Sequence, residues 1–153
     1  MMGFGARICD ALSFEARRLT RLAQVAGDSE RLAQNLKRHA ELCDAPNIKT
    51  GLEALAIAEA SDAKALRDLL LPRRIWPTRS ATIEREGASN WARISADLAA
   101  ELEMVRALNG AIAEWEGVDR EIAARLRAIV AAKEATLGHL RDLALRCDPQ
   151  ALD

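Results

Sequence analysis

Apolar residues recur every three or four positions along most of the chain, and this spacing predicts amphipathic helices. The first such stretch predicts a helix over about 5 to 26. Gly27-Asp28-Ser29 is then predicted to form a turn that ends this helix and caps the next one. Together the two helices would make a first helical hairpin over 5–44. Their apolar stripes consist of Ile8, Leu12, Leu19, Leu22, Val25, Leu32, Leu36, Ala40 and Cys43.

Residues 46–90 are predicted to form a long crossover connection. Within it, Thr50 and Glu53 have the spacing of a capping box, which predicts a helix over 50–71. Pro72 marks the end of that helix. The remainder of the connection contains proline, glycine and scattered polar residues without a helical stripe.

The second half of the chain predicts a second helical hairpin over 91–148. Gly117-Val118-Asp119 forms its turn, and Asp148-Pro149 ends it. Two long helices joined by so short a turn pack antiparallel. A gap-free shift of 90 positions superimposes the two predicted hairpins as a weak internal repeat. We therefore predict one all-α domain over 1–153, an antiparallel four-helix bundle with an extra helix in the crossover.

Composition narrows the class of protein. The 153 residues include 22 basic and 23 acidic side chains, so no net field favours nucleic acid or an anionic membrane. The three cysteines form no C-x-x-C pair, which is typical of free thiols in a reducing compartment. The longest charge-free run, 107–113, is too short to span a membrane. These features predict a bacterial cytoplasmic protein without a cofactor.

The second hairpin resembles the ferritin-like family. Asp97-Leu98-Ala99-Ala100-Glu101-Leu102-Glu103, then Ala111-Ile112, the turn at 117–119 and the run 125–130 are similar to a bacterioferritin hairpin. The resemblance covers 94–145. It implies a ferritin-like bundle that self-associates into a dimer or a larger assembly. Active members bind two metal ions, and each hairpin supplies a Glu from one helix and a Glu-x-x-His from the other.

The chain departs from that metal-binding pattern. Glu101 falls at the position of the first Glu of the second hairpin, and a gap-free alignment places Glu134 at the second. Leu137 then occupies the histidine position. An alignment shifted by one residue places Lys133 and Thr136 there instead. No Glu-x-x-His occurs anywhere in the sequence, so the metal site is predicted to be lost, with Glu101 and Glu134 as its weak remaining candidates.

Lys133 continues the apolar stripe of the last helix, and two interpretations remain open. In one, its ammonium replaces the lost metal by neutralising Glu101 in a buried ion pair. In the other, Lys133 lies at the edge of the stripe, where its stem packs and its head reaches water.

Basic and tryptophan residues alternate in and after the connection, and they also have two interpretations. They could bind a partner, with a protein favoured over nucleic acid. Alternatively, the loop packs on the bundle and its arginines are solvated. The residues concerned are Arg73, Arg74, Trp76, Arg79 and Trp91.

These features predict a non-catalytic ferritin-like bundle that acts through self-association or protein binding. One alternative is a helical chaperone, because 15–42, with Gly27-Asp28 between two predicted helices, also resembles flagellar export chaperones of the hairpin type. The second alternative is a ferritin-like protein that binds metal through atypical ligands.

Overall fold

The computed structural model describes residues 4–79 and 87–149, with side chains described from Ser13 onward. Four α-helices account for nearly all of this part of the chain, which contains no strand. The all-α prediction is therefore confirmed. The helices are α1 (Phe4–Glu41), α2 (Pro46–Leu70), α3 (Asn90–Glu116) and α4 (Arg120–Cys147), and a short 3-10 turn, Leu71–Arg73, follows α2.

The predicted hairpin over 5–44 is wrong, because α1 continues through Gly27-Asp28-Ser29 without a break. Gly27 serves close packing instead. The backbone of the connection crosses α1 there, and the Thr78 N–H donates a 2.9 Å hydrogen bond to the Ala23 carbonyl oxygen. A Cβ at position 27 would overlap the Thr78 carbonyl group. The glycine therefore permits a close backbone approach, which is the other common reason for glycine within a regular element.

The predicted crossover over 46–90 is also wrong in its boundaries. Its helix begins at Pro46, and the proline suits this first helical position because its nitrogen needs no hydrogen-bond partner. Thr50 does not cap this helix, because its hydroxyl donates to the Pro46 carbonyl oxygen within the helix. This helix, α2, is one of the four principal helices and packs against α1. The true connection between α2 and α3 is 71–89.

Two helices occupy the stretch of the predicted second hairpin. The Ser89 hydroxyl accepts a 3.1 Å hydrogen bond from the Ala92 N–H and caps α3. The Asp119 carboxylate accepts from the N–H groups of Glu121 and Ile122 at 3.0 and 3.1 Å, and so caps α4. These side chains satisfy backbone donors that the first turn of a helix leaves free.

Helices α1 and α4 each pack beside both α2 and α3. The order of contacts reverses between neighbours. On α1, Arg21 pairs with Glu114 and the later residue His39 pairs with the earlier Asp97 on α3. On α2, Gly51 faces Leu143, and Glu59 pairs with Lys133. The apolar stripes of all four helices meet in one core.

Eight of the nine buried positions of α2 recur as buried positions on α4 after a shift of 74; the ninth, Leu70, maps onto Ala144, which is half-buried. The predicted repeat of 90 instead paired the second hairpin with a first hairpin that the structure does not contain. Residues 59, 62 and 63 map in the same way onto 133, 136 and 137, which are buried as well. Two helices of the core thus share one pattern of buried positions. The apolar members of the pattern pair Ile48 with Ile122, Leu52 with Leu126, Leu55 with Ile129, Leu66 with Leu140, and Leu69 with Leu143.

Within the described ranges, none of the helices combines the length and the apolar character needed to cross a membrane.

Candidate functional site

A cluster of polar side chains lies at the centre of the core, and each helix contributes one. The cluster consists of Ser29 from α1, Glu59 from α2, Glu101 from α3 and Lys133 from α4, and all four residues are fully buried. The Lys133 ammonium donates to Glu59 Oε1 and, at 3.1 Å, to Glu101 Oε2. The Ser29 hydroxyl also donates to Glu59 Oε1. One ammonium therefore joins carboxyl groups of two different helices.

Asp62 and Thr136 extend this cluster by one helical turn on α2 and α4, and both are buried. Three carboxyl oxygens in the cluster accept no hydrogen bond from the described part of the chain: Glu59 Oε2, Asp62 Oδ2 and Glu101 Oε1. Buried carboxylate oxygens without donors are costly, and protonation is the usual remedy.

The pKa values of two of these carboxyl groups agree with that reasoning. Burial raises the pKa of Glu101 to about 7; the Lys133 ammonium opposes the rise and the Glu59 carboxylate adds to it. Burial likewise raises the pKa of Asp62 to about 6; here too the Lys133 ammonium opposes the rise and the Glu59 carboxylate adds to it. At pH values below both of these pKa values, Glu101 and Asp62 are therefore protonated and neutral.

The structure brings Glu101 and Lys133 together and keeps Glu134 away from them. Lys133 has no exposed surface, so the interpretation in which its head reaches water is wrong. Glu134 points to the exposed side of α4 and takes no part in the cluster.

The cluster does not fit the two-metal centre that the ferritin-like resemblance implies. Within the described residues, no three His, Cys, Asp or Glu side chains are placed so that they could hold a metal ion together. The ammonium of Lys133 lies between Glu59 and Glu101, and it repels a cation there. Of the two histidines, His39 is hydrogen-bonded to Asp97 at 2.6 Å and His139 is exposed.

The arginine and tryptophan residues predicted as a partner-binding set are divided between the connection that follows α2 and the first turn of α3. Arg73 donates to the Leu69 carbonyl oxygen at 3.0 Å and lies 3.7 Å from Asp119 in the turn between α3 and α4. Trp91 lies at the other end of α3, and Arg74 is exposed beyond the end of α2. Between these ends, Arg79 donates to Gln34 on α1, and Trp76 is 69% exposed.

Ser29, Glu59 and Asp62 were not among the residues that the sequence predicted for a functional site. A usable signal existed for the two acids: Glu59 and Asp62 occupy stripe positions of α2, between Leu55 and Leu66, where apolar residues are expected. Lys133 and Thr136 interrupt the stripe of α4 in the same way.

No protein-family model and no curated protein sequence matches this chain.

Proposed function

We propose that this protein is a non-catalytic, ferritin-like bundle that has lost its metal centre and acts through association with itself or with another protein. The observation that carries the proposal is the buried Lys133 ammonium, which donates to both Glu59 and Glu101.

The order of the helices supports the ferritin-like plan. The reversed order of contacts between α1 and α3, and between α2 and α4, is what antiparallel neighbours produce. Short loops join α1 to α2 and α3 to α4, whereas the connection over 71–89 is long. Two antiparallel hairpins with one long crossover are the plan of ferritin-like bundles.

The positions of the polar residues support the same plan. A ferritin-like metal centre takes one Glu from each of two helices and Glu-x-x-His from each of the other two. In this chain the corresponding set is Ser29, Glu59-x-x-Asp62, Glu101 and Lys133-x-x-Thr136. Glu59 and Glu101 retain the acids, and a cationic side chain at Lys133 supplies the positive charge that a metal would supply.

The burial of this cluster favours a role in association over catalysis. Its four central residues have no exposed surface, so a substrate would reach them only if the bundle opened. The Lys133 amine is also held by two carboxyl groups. A group so enclosed stabilises or specifies a fold more readily than it performs chemistry on a substrate.

The chaperone alternative retains one favourable observation, an exposed Phe14 on α1. The segment 15–42 that carried this resemblance is part of one continuous helix, however. In addition, α4 packs along most of its length, since Leu137, Leu140 and Leu143 are all buried.

Light-scattering mass and metal analysis of protein purified without a chelator test the proposal together. A metal-free dimer or larger closed assembly is the expected result. Stoichiometric iron or manganese would overturn the proposal in favour of an atypical metal protein. A metal-free monomer would shift the function to binding a different protein, as in the chaperone alternative.

A further inference from the structure

The N-terminal part of α1 projects beyond the rest of the bundle. The first described contacts of α1 with α3 are Arg18 over the Trp115 ring, 5.3 Å from its centroid, and Arg21 with Glu114. Helix α3 ends one residue after Trp115. Residues 13–17 are all exposed and span more than one helical turn, so α1 has exposed residues on each of its faces here. The segment 4–17, called the arm below, extends for about 21 Å at 1.5 Å per residue.

An arm of this kind is a poor free-standing structure. Most of the stability of a helix in a protein comes from packing of its apolar face, and the exposed residues 13–17 lack such packing. Phe14 lies on the arm and is 59% exposed. A continuous helix with an exposed phenylalanine therefore indicates a surface that a partner covers.

A groove on the outer side of α1 and α2 offers a complementary surface. It has a volume of about 790 Å³, and small side chains form much of its lining, among them Ala33, Ala56 and Ala60. Ile57 lies in the same groove and is 74% exposed. Small residues allow a second helix to approach closely, and exposed isoleucine gives that helix an apolar contact.

The groove matches the arm in position and length. On α2 it extends from Glu53 to Arg67, which is again about 21 Å. Arg67 lies three residues before the end of α2, and Arg73 beyond it lies near Asp119 in the turn that follows α3. The groove thus begins at the same end of the bundle from which the arm projects.

We propose that the arm of one copy docks in the groove between α1 and α2 of a second copy, and that the second arm docks reciprocally in the first groove. The two bundles then meet at the ends from which their arms project. This inference rests on the self-association in the proposed function and names its surface. Two reciprocal contacts double the area that one arm buries, which brings the interface toward the roughly 1,600 Å² that a specific protein complex buries.

Apolar contact dominates this interface, because charge does not favour it. The arm with Arg18 has one more basic than acidic residue, and the charged residues lining the groove have the same excess. The dimer is therefore expected to persist at high salt, where an interface held by ion pairs would weaken. The residues counted are Arg7, Asp10, Glu15 and Arg17 on the arm, Arg18 directly after it, and Glu30, Lys37, Glu53, Lys64 and Arg67 in the groove.

Light scattering on three single variants tests this reciprocal docking of arms, called the exchange below. Phe14→Glu alters only the arm and Ile57→Glu alters only the groove. Leu145→Glu is the matched control, since Leu145 is 65% exposed on α4 and outside both surfaces. Wild-type protein and the control are expected to be dimers, and the first two variants monomers with unchanged helical content by circular dichroism.

Mixing the two monomeric variants gives the sharper result. An intact arm from the Ile57→Glu chain can dock in the intact groove of the Phe14→Glu chain, so mixed dimers are expected to form. A dimeric wild type whose mass neither variant changes would overturn the exchange and leave self-association standing. Monomeric wild type at about 100 μM would overturn both the exchange and the self-association, and leave only the protein-binding form of the proposed function.

Discussion

The Lys133 ammonium lies 3.1 Å from Glu101 Oε2, between neighbouring helices of the core, and neither side chain is exposed to solvent. A second carboxylate, that of Glu59, accepts from the same ammonium. Replacing such a group with well-packed apolar residues is often neutral, whereas removing one member leaves charge that nothing compensates. We therefore expect the free energy of unfolding to depend on pH and on whether both members of this pair are present.

Removing the ammonium is expected to destabilise the bundle strongly. In Lys133→Met the stem remains, but Glu59, Asp62 and Glu101 lose the ammonium that lies beside them. We expect the free energy of unfolding to fall by about 3–5 kcal/mol at pH 8. The loss should shrink at pH 5.5, because Glu101 and Asp62, whose pKa values are about 7 and 6, are then protonated. Urea unfolding at both pH values measures this difference.

The matched control for this substitution is Arg106→Met. Arg106 pairs with Glu103 at 2.6 Å on the exposed side of α3, away from the groove and the arm. Exposed pairs contribute about 0–1 kcal/mol, so little change is expected at either pH. Equal losses in the two variants would show that the buried ammonium has no special role.

Glu101 is expected to give the bundle an unusual dependence on pH. Its pKa is raised from 4.5 to about 7 in the folded state. The unfolded chain therefore releases this proton first as pH rises, and the stability that Glu101 provides at low pH is lost between about 4.5 and 7. Glu101→Gln should remove this slope, so the variant gains on the wild type by on the order of 1–3 kcal/mol between pH 5 and pH 8. Parallel stability curves for the two proteins would contradict the assignment.

Gly27 and Gly138 form a matched pair of helical glycines. Alanine is favoured over glycine within a helix by roughly 0.5–1 kcal/mol, and Gly138→Ala meets no atom within 4 Å, so it should stabilise the protein by that amount. A Cβ at position 27 instead overlaps the Thr78 carbonyl group. We expect Gly27→Ala to destabilise by about 1–3 kcal/mol despite the better helix former. If thermal unfolding shows Gly27→Ala to be more stable than Gly138→Ala, the backbone at Thr78 does not approach α1 as closely as the structure indicates.

Hydrophobic periodicity was sufficient to predict an all-helical chain and the extents of α3 and α4, whose capping residues follow standard rules. It failed at Gly27-Asp28-Ser29, because glycine marks both turns and close backbone approaches. Only the position of Thr78, far along the sequence, distinguishes the two cases. This one error displaced the first hairpin and assigned α2 to the crossover.

Because of the same error, two of the four central residues, Ser29 and Glu59, were not predicted. Lys133 and Glu101 could be singled out because the resemblance covered α3 and α4. Glu59 was not predicted to belong to the site, because its helix was assigned to the crossover. Ser29 was assigned to a turn. Periodicity places a residue on a face of its helix, but which faces meet depends on long-range packing.

Metal titration tests most directly the central claim that an ammonium has replaced the metal centre. Mn²⁺, or Fe²⁺ without oxygen, is added to chelator-treated wild-type protein and to a Lys133→Glu, Thr136→His variant, which restores Glu-x-x-His spacing on α4. Circular dichroism first establishes that the variant is folded. We expect no site tighter than about millimolar in the wild type and tighter binding in the variant. Stoichiometric binding of either metal by the wild type would contradict the claim.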